Sequence, residues 1–286
     1  MRVRIGIGGV GDEWSPDALH ALVGDLAELG FDSLWLSEIL TGAPPDPLLA
    51  LAWAAQVHPK VKLGTTMLLP GRNEVRLAKA LATLDQLSGG RLLVTFVPGI
   101  NRGPENAAIG VPVRERGAAI ASTLPRLKRW WRGEEVDGIT VTPRPRQDPF
   151  DVWLGGMAHA SLVRCGQVSD GWLPSLCTPA EAAAGKRVID RAADEAGRAI
   201  SPEHFGVSIG YGLTPLTDQQ RAAMAARSRG NDLAELVPVG HHQLRALLES
   251  YLEVGVSKFV VRPMAPPASW RAELEALAGA VGDLQT

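Results

Sequence analysis

Residues 31–67, FDSLWLSEILTGAPPDPLLALAWAAQVHPKVKLGTTM, read as strand, helix, strand. Phe31 to Leu36 is a short, mostly apolar run of the kind that a parallel sheet buries on both faces. Asp46-Pro47 opens a helix, since a carboxylate can cap the first free N–H groups and a proline fits the first turn, and apolar residues continue through Val57. Val61 to Met67 is again a strand. Parallel strands need a long crossover, so this stretch is a βαβ unit.

The same alternation extends in both directions. Upstream lie an apolar run at Val3 to Ile7, a helix start at Ser15-Pro16-Asp17 and helical spacing from Leu19 to Leu29, ended by Gly30. Downstream come a helix from Glu74 to Leu87, a Gly89-Gly90 stop, the strand Arg91 to Val97, an irregular polar segment and a helix from Arg114 to Trp131. Strands at Phe150 to Leu154, Gly171 to Leu173, Phe205 to Tyr211 and Lys258 to Val261 follow. Helices start at Ala158, Pro179, Asp218, His241 and Ser269.

Eight strand and helix pairs in 286 residues predict a single (β/α)8 TIM barrel domain spanning 1–286, a fold of about 250 residues before insertions. A doubly wound open sheet is the alternative, but no G-x-G-x-x-G follows the first strand and no shift in composition divides the chain. Gly133 to Gln147, with ITVTP inside it, reads as a small hairpin inserted on the scaffold.

Apolar residues make up 45% and charged ones 21%, as in ordinary globular chains. The formal charge of −2 gives no electrostatic reason to expect nucleic acid. Two cysteines, Cys165 and Cys177, form neither a disulfide framework nor a metal-ligand spacing, which suits a reducing cytoplasm. The apolar run Leu48 to Val57 falls well short of the roughly 20 residues of a membrane helix, and no signal-peptide core precedes Asp12 and Glu13. His241-His242 point about 100° apart on a helix, so no metal site is expected there.

In a barrel the chemistry sits where strands end. Glu38 ends strand two as a candidate acid, base or hydrogen-bond partner, or else as a salt-bridged rim carboxylate. Gly155-Gly156-Met157-Ala158 hand strand five over to a helix, which leaves free N–H groups able to bind phosphate; a plain strand-to-helix turn is the other reading. Arg102, Glu105 and Asn106 share the polar segment after strand four, and His159 follows the glycines.

GFDSLWLSE at 30–38, VKLGTTMLLPGRN at 61–73, LATLDQLSGGRLLVTFVPG at 81–99, ENAAIGVPVRERG at 105–117, VWLGGMAHASLVRCGQVSDGWLP at 152–174 and LLESYLEVGVSKFVV at 247–261 occur in order. Together they make the chain resemble the luciferase-like flavin-dependent family over nearly its whole length. The resemblance implies a barrel that binds FMN or the deazaflavin coenzyme F420 at the carboxyl ends of the strands.

By motif position, Thr66-Met67 would hold a non-proline cis peptide behind the flavin ring, Gly99 and Ile100 would border it, and Gly155, Gly156, Met157 and Ala158 would cradle the cofactor phosphate. The resemblance also implies a homodimer built on the helices after strands two and three. The chain departs from the family pattern at Ile39, where a histidine often follows the acid, and at Ile100, where some deazaflavin-dependent sugar-phosphate dehydrogenases carry a carboxylate. Proton delivery then falls to Glu38, Asn101, Arg102 or water.

The implied function is an F420-dependent oxidoreductase passing a hydride between the deazaflavin and a small organic substrate. An FMN-dependent monooxygenase using oxygen, and a noncatalytic flavin-binding barrel, are the alternatives. The Ala, Arg and Gly bias is that of a GC-rich genome, in which the deazaflavin is common.

Overall fold

The computed structural model describes residues 1–9, 14–101 and 103–286, with the backbone alone at Ala223. Its strands are β1 (Arg4–Gly8), β2 (Ser33–Ser37), β3 (Lys62–Leu68), β4 (Leu92–Val97), β5 (Val152–Leu154), β6 (Gly171–Trp172), β7 (Gly206–Tyr211) and β8 (Lys258–Pro263). The helices are α1 (Pro16–Glu28), α2 (Pro47–Ala54), α3 (Glu74–Leu87), α4 (Gly103–Ile109), α5 (Val113–Trp131) and α6 (His159–Val168), then α7 (Pro179–Glu195), α8 (Asp218–Ala225), α9 (Leu233–Leu236), α10 (Gly240–Glu253) and α11 (Trp270–Val281).

All strand pairs are parallel, in the order β6-β5-β4-β3-β2-β1-β8-β7. The pairing of β1 with both β2 and β8 excludes the open doubly wound sheet. Between β6 and β7 the ring is joined by single bridges, Trp172 to Phe205 and Ser175 to Ser208, with Ser208 N donating to Pro174 O at 2.8 Å. The result is a nearly closed (β/α)8 barrel.

Two apolar layers follow from strand alternation. Outward-facing strand residues meet helix stripes such as Leu19, Leu22, Val23 and Leu26 of α1, which recur at helical spacing and are buried. The lumen holds a second cluster of Trp35, Leu173 and Val260, with Leu93 and Trp153 against it. A tryptophan fits there only because the adjoining strands carry glycine: a Cβ on Gly64 would lie 2.2 Å from Trp35 Cδ2, and one on Gly171 2.5 Å from the Trp153 ring. Trp35 Nε1 is satisfied by Ser33 Oγ at 3.0 Å.

The structure corrects two expectations about local form. The segment after β4 is no irregular loop, since Gly103–Ile109 is helical and buries Glu105 and Ile109. The insertion at 133–147 keeps only a single antiparallel bridge, Val136 to Ile139. Side-chain contacts hold it instead: Trp130 Nε1 donates to Ile139 O, and the buried Asp85 carboxylate accepts from Arg146 N, Gln147 N and Gln147 Nε2. Among the described residues no helix is long and apolar enough to cross a membrane.

Candidate active site

A cleft of about 790 Å³ opens at the carboxyl end of the barrel. Gly8 at the end of β1 and Gly9 after it, Glu38 after β2, Thr66 and Leu68 of β3, Gly99 and Ile100 after β4, and Arg262 of β8 all line it. Several residues read from the sequence therefore converge: Glu38, Thr66, Gly99 and Ile100 share one cavity. Gly99 has φ +81°, a backbone conformation that favours glycine, and a Cβ there would also press on Ile109 Cδ1 at 2.4 Å.

The remaining expected residues are placed differently. Met67 is fully buried in the outer core, facing away from the cleft. Asn101 is exposed and does not line the cavity. Arg102 lies outside the described residues. Thr66–Met67 is not cis: among the described residues the cis bonds are Thr142–Pro143 and Asp148–Pro149. β3 instead runs unbroken through both residues, with Thr66 opposite Ser37 on β2 and Thr95 on β4, a ladder that extended trans backbone sustains.

Glu38 is engaged within the protein. One carboxylate oxygen accepts from Leu68 N at 2.8 Å and the other pairs with the Arg72 guanidinium, which also donates to Leu68 O at 2.8 Å. Its side chain is 5% exposed, and burial raises its carboxyl above the ordinary range although Leu68 N–H and Arg72 pull the other way. Glu105, expected on a solvated loop, accepts from Leu40 N at 3.0 Å, Thr41 N at 3.2 Å and Thr41 Oγ1 at 2.9 Å. It fixes the segment after β2. Arg116 of α5 is fully buried and donates to Val111 O, Ile100 O, Asn106 O and Asn106 Oδ1, so it shapes the wall around Gly99 and Ile100.

Gly155, Gly156, Met157 and Ala158 do not line this cleft; their turn after β5 touches its wall from outside, where a Cβ on Gly155 would lie 2.7 Å from Val97 Cγ1, and Val97 lines the cavity. Gly156 has φ +110°, a backbone that L side chains rarely adopt. Ala158, at the N-cap of α6, supplies no side-chain hydrogen bond, and the first turn carries no acid. The leading N–H groups of this 10-residue helix therefore keep their donors and their positive end for a ligand. Free backbone donors without a neighbouring acid are the chemistry that a phosphate group would use.

Arg72, Arg116 and Arg262 are not among the site residues expected from the sequence. Arg72 follows Gly71 directly after β3, and Arg262 interrupts the apolar run of β8. The rule that strand ends carry the chemistry points to both.

The chain matches the luciferase-like monooxygenase family model over residues 3–258. It belongs to that family. It is 27% identical over 191 residues to an F420-dependent glucose-6-phosphate dehydrogenase of Kineococcus radiotolerans, which covers 60% of this chain and 56% of the relative. It is 26% identical over 232 residues to a putative coenzyme F420-dependent oxidoreductase of Mycobacterium tuberculosis, covering 73% and 66%. The chain thus aligns with between half and two thirds of the length of these curated relatives. Among solved structures, an F420-dependent secondary alcohol dehydrogenase in complex with an F420-acetone adduct superposes with a TM-score of 0.80 at 17% identity, over 100% of both chains, a likeness of fold.

Proposed function

We propose that this barrel is a coenzyme F420-dependent oxidoreductase that moves a hydride between the deazaflavin and a small organic substrate. The observation that carries the reading is the Gly155-Gly156 turn running into the uncapped end of α6 beside a glycine-lined cleft. Relatives whose names specify F420 support the choice of cofactor.

Backbone N–H groups of Gly156, Met157 and Ala158 hold the phosphate. Gly8, Gly9 and Gly99 allow a flat ring to approach the backbone, and Ile100 and Leu68 present apolar surface to it. When bound, the deazaflavin supplies a ring carbon that gives or takes a hydride. The protein's part is orientation and exclusion of water. Glu38 and Arg72 act as a unit that fixes the loop after β3, and the Thr66 and Ser208 hydroxyls, both lining the cleft, orient the substrate oxygen.

Titration of the purified protein with F420 and with FMN, followed by fluorescence quenching, tests this. F420 is expected to bind at least about tenfold more tightly, a difference of about 1.4 kcal/mol. Turnover is expected under anaerobic conditions and unchanged in air. FMN binding with rejection of F420, together with oxygen consumed in step with product, would make the chain a monooxygenase instead.

A further inference from the structure

Charges around the cleft fall into two groups. On the β2 to β4 side the charged side chains already have partners: Glu38 with Arg72 and Leu68 N, Glu105 with Leu40 and Thr41, and Arg116 with five carbonyl or amide oxygens. Arg262, on the opposite side, is different. It lines the cavity, and among the described residues no carboxylate or carbonyl oxygen accepts from its guanidinium. A second cation, Arg227, lines the same cavity and has an interaction of its own.

The neighbouring strands make room for this side chain. Gly210 pairs with Arg262 in the ladder of β7 and β8, and a Cβ there would lie 3.9 Å from Arg262 Cζ. Across β1, a Cβ on Gly8 would lie 3.3 Å from Arg262 Cβ. Val260, Pro263, Met264 and Trp270 make the surroundings apolar. Burial beside Arg227 lowers the Arg262 pKa, yet a guanidinium stays protonated in a protein.

Half-buried on the cleft wall, with no acceptor among the described residues, the guanidinium keeps its five donors for a ligand, and its planar fork matches a carboxylate or a phosphate. We propose that Arg262 is an oxyanion-recognition subsite, and that the substrate taken by this cleft carries a carboxylate or phosphate group. The word substrate rests on the oxidoreductase reading; the anion subsite itself does not. Three strand steps separate β8 from β5 around the closing side of the barrel, so the subsite is separate from the end of α6. The cofactor's own phosphate has the same chemistry, and the test distinguishes the two sources.

Cofactor-free protein is unfolded thermally while inorganic phosphate is titrated at constant ionic strength, in an Ala158→Asp background that fills the end of α6. Phosphate is expected to raise the unfolding temperature, and sodium chloride at the same ionic strength to leave it unchanged. Arg262→Met is expected to unfold no lower than its parent without phosphate, because no hydrogen bond or ion pair among the described residues is lost, and to lose the phosphate response. Arg262→Lys, which keeps charge without the fork, is expected to require about tenfold more phosphate for the same shift, and it serves as the test should Arg262→Met not fold.

F420 affinity, measured with native Ala158, is expected to change by less than about twofold in Arg262→Met. An undiminished phosphate response in both variants, or none in the parent, would overturn the subsite. A loss of F420 affinity of about tenfold or more would give the anion to the cofactor and overturn the substrate assignment. Failure of F420 to bind at all, with the phosphate response intact, would sink the oxidoreductase reading and leave the subsite standing.

Discussion

Glu38 and Arg72 form an ion pair across the mouth of the barrel, linking the end of β2 to the loop after β3, and the same Glu38 carboxylate accepts from Leu68 N at 2.8 Å. Both carboxylate oxygens have partners, so the pair holds the cleft wall in place. Glu38→Gln turns an amide toward the guanidinium, and Arg72→Met leaves the carboxylate with Leu68 N and no counter-charge. Each substitution is expected to lower kcat/KM by roughly tenfold, and the double variant to be no worse than the poorer single one, as residues acting as a unit behave. F420 affinity is expected to stay within about twofold. A loss of about 100-fold or more confined to Glu38→Gln would make Glu38 the proton-transferring group instead.

The end of α6 offers a test in which stability and binding change in opposite directions. Gly156→Val is a poor probe, since φ +110° strains any L residue and a Cβ would press on Ser161 Cβ at 3.2 Å, so it perturbs the fold itself. Ala158 is exposed, at φ −64° and ψ 141°, the extended N-cap geometry that suits aspartate. Ala158→Asp is expected to stabilise the free protein by about 1 kcal/mol by capping the helix. The same carboxylate would take the phosphate's donors and repel it, so F420 affinity is expected to fall about tenfold or more. Urea unfolding and fluorescence titration of one sample measure both, and unchanged F420 affinity in the stabilised variant would reject the phosphate site.

Why the fold could be read follows from these same strands. A barrel strand is covered on both faces, so Ile5, Leu34, Leu63 and Val94 stand in apolar runs that need no long-range information to recognise. Helix α3 carries its own signals in Asn73, which caps Arg76 N, and Gly89, and it spans Glu74–Leu87 as expected. The site was only half legible. Glu38 and Gly155 follow strands, so position alone marked them. Its partner Arg72 lies 34 residues away, and Glu105 meets Leu40 and Thr41 from 65 and 64 residues away. Arginine ordinarily signals solvent, and only the closed ring shows Arg116 buried and Arg262 without an acceptor. The helical form of Gly103–Ile109 was missed because seven residues with a glycine and a proline at the start carry little periodicity.

Helix α2 presents apolar side chains outward. Leu49 is 75% and Trp53 51% exposed, four residues apart on one face, and Leu87 on the adjacent α3 is 52% exposed. A homodimer, expected from the family resemblance, would cover this face. Replacing both Leu49 and Trp53 by Glu is expected to give a monomer by sedimentation while leaving the fold intact, because neither side chain belongs to the core. A monomeric wild-type protein at working concentration would reject the expectation.

The amino end of the chain is tied to β8 through Glu203, and this tie should set part of the response to acid. Glu203 accepts from Lys258 Nζ at 2.8 Å and from Arg2 N at 2.8 Å, and the terminal ammonium lies 4.0 Å away. The Lys258 ammonium and the Arg2 N–H hold its carboxyl down to about 2, from an ordinary 4.5. A carboxyl lowered on folding adds stability that is fully present above its unfolded value and is lost as protons bind the folded form. The contribution is therefore whole above pH 4.5 and declines toward pH 2. Glu203→Gln removes this titration, so its unfolding free energy is expected to fall less steeply than wild type across that window, other carboxylates being common to both. The pair is partly exposed, so raising the salt concentration is expected to narrow the difference between the two curves. Equal slopes for the two proteins at low salt would show that Lys258 and Arg2 do not hold Glu203 in solution.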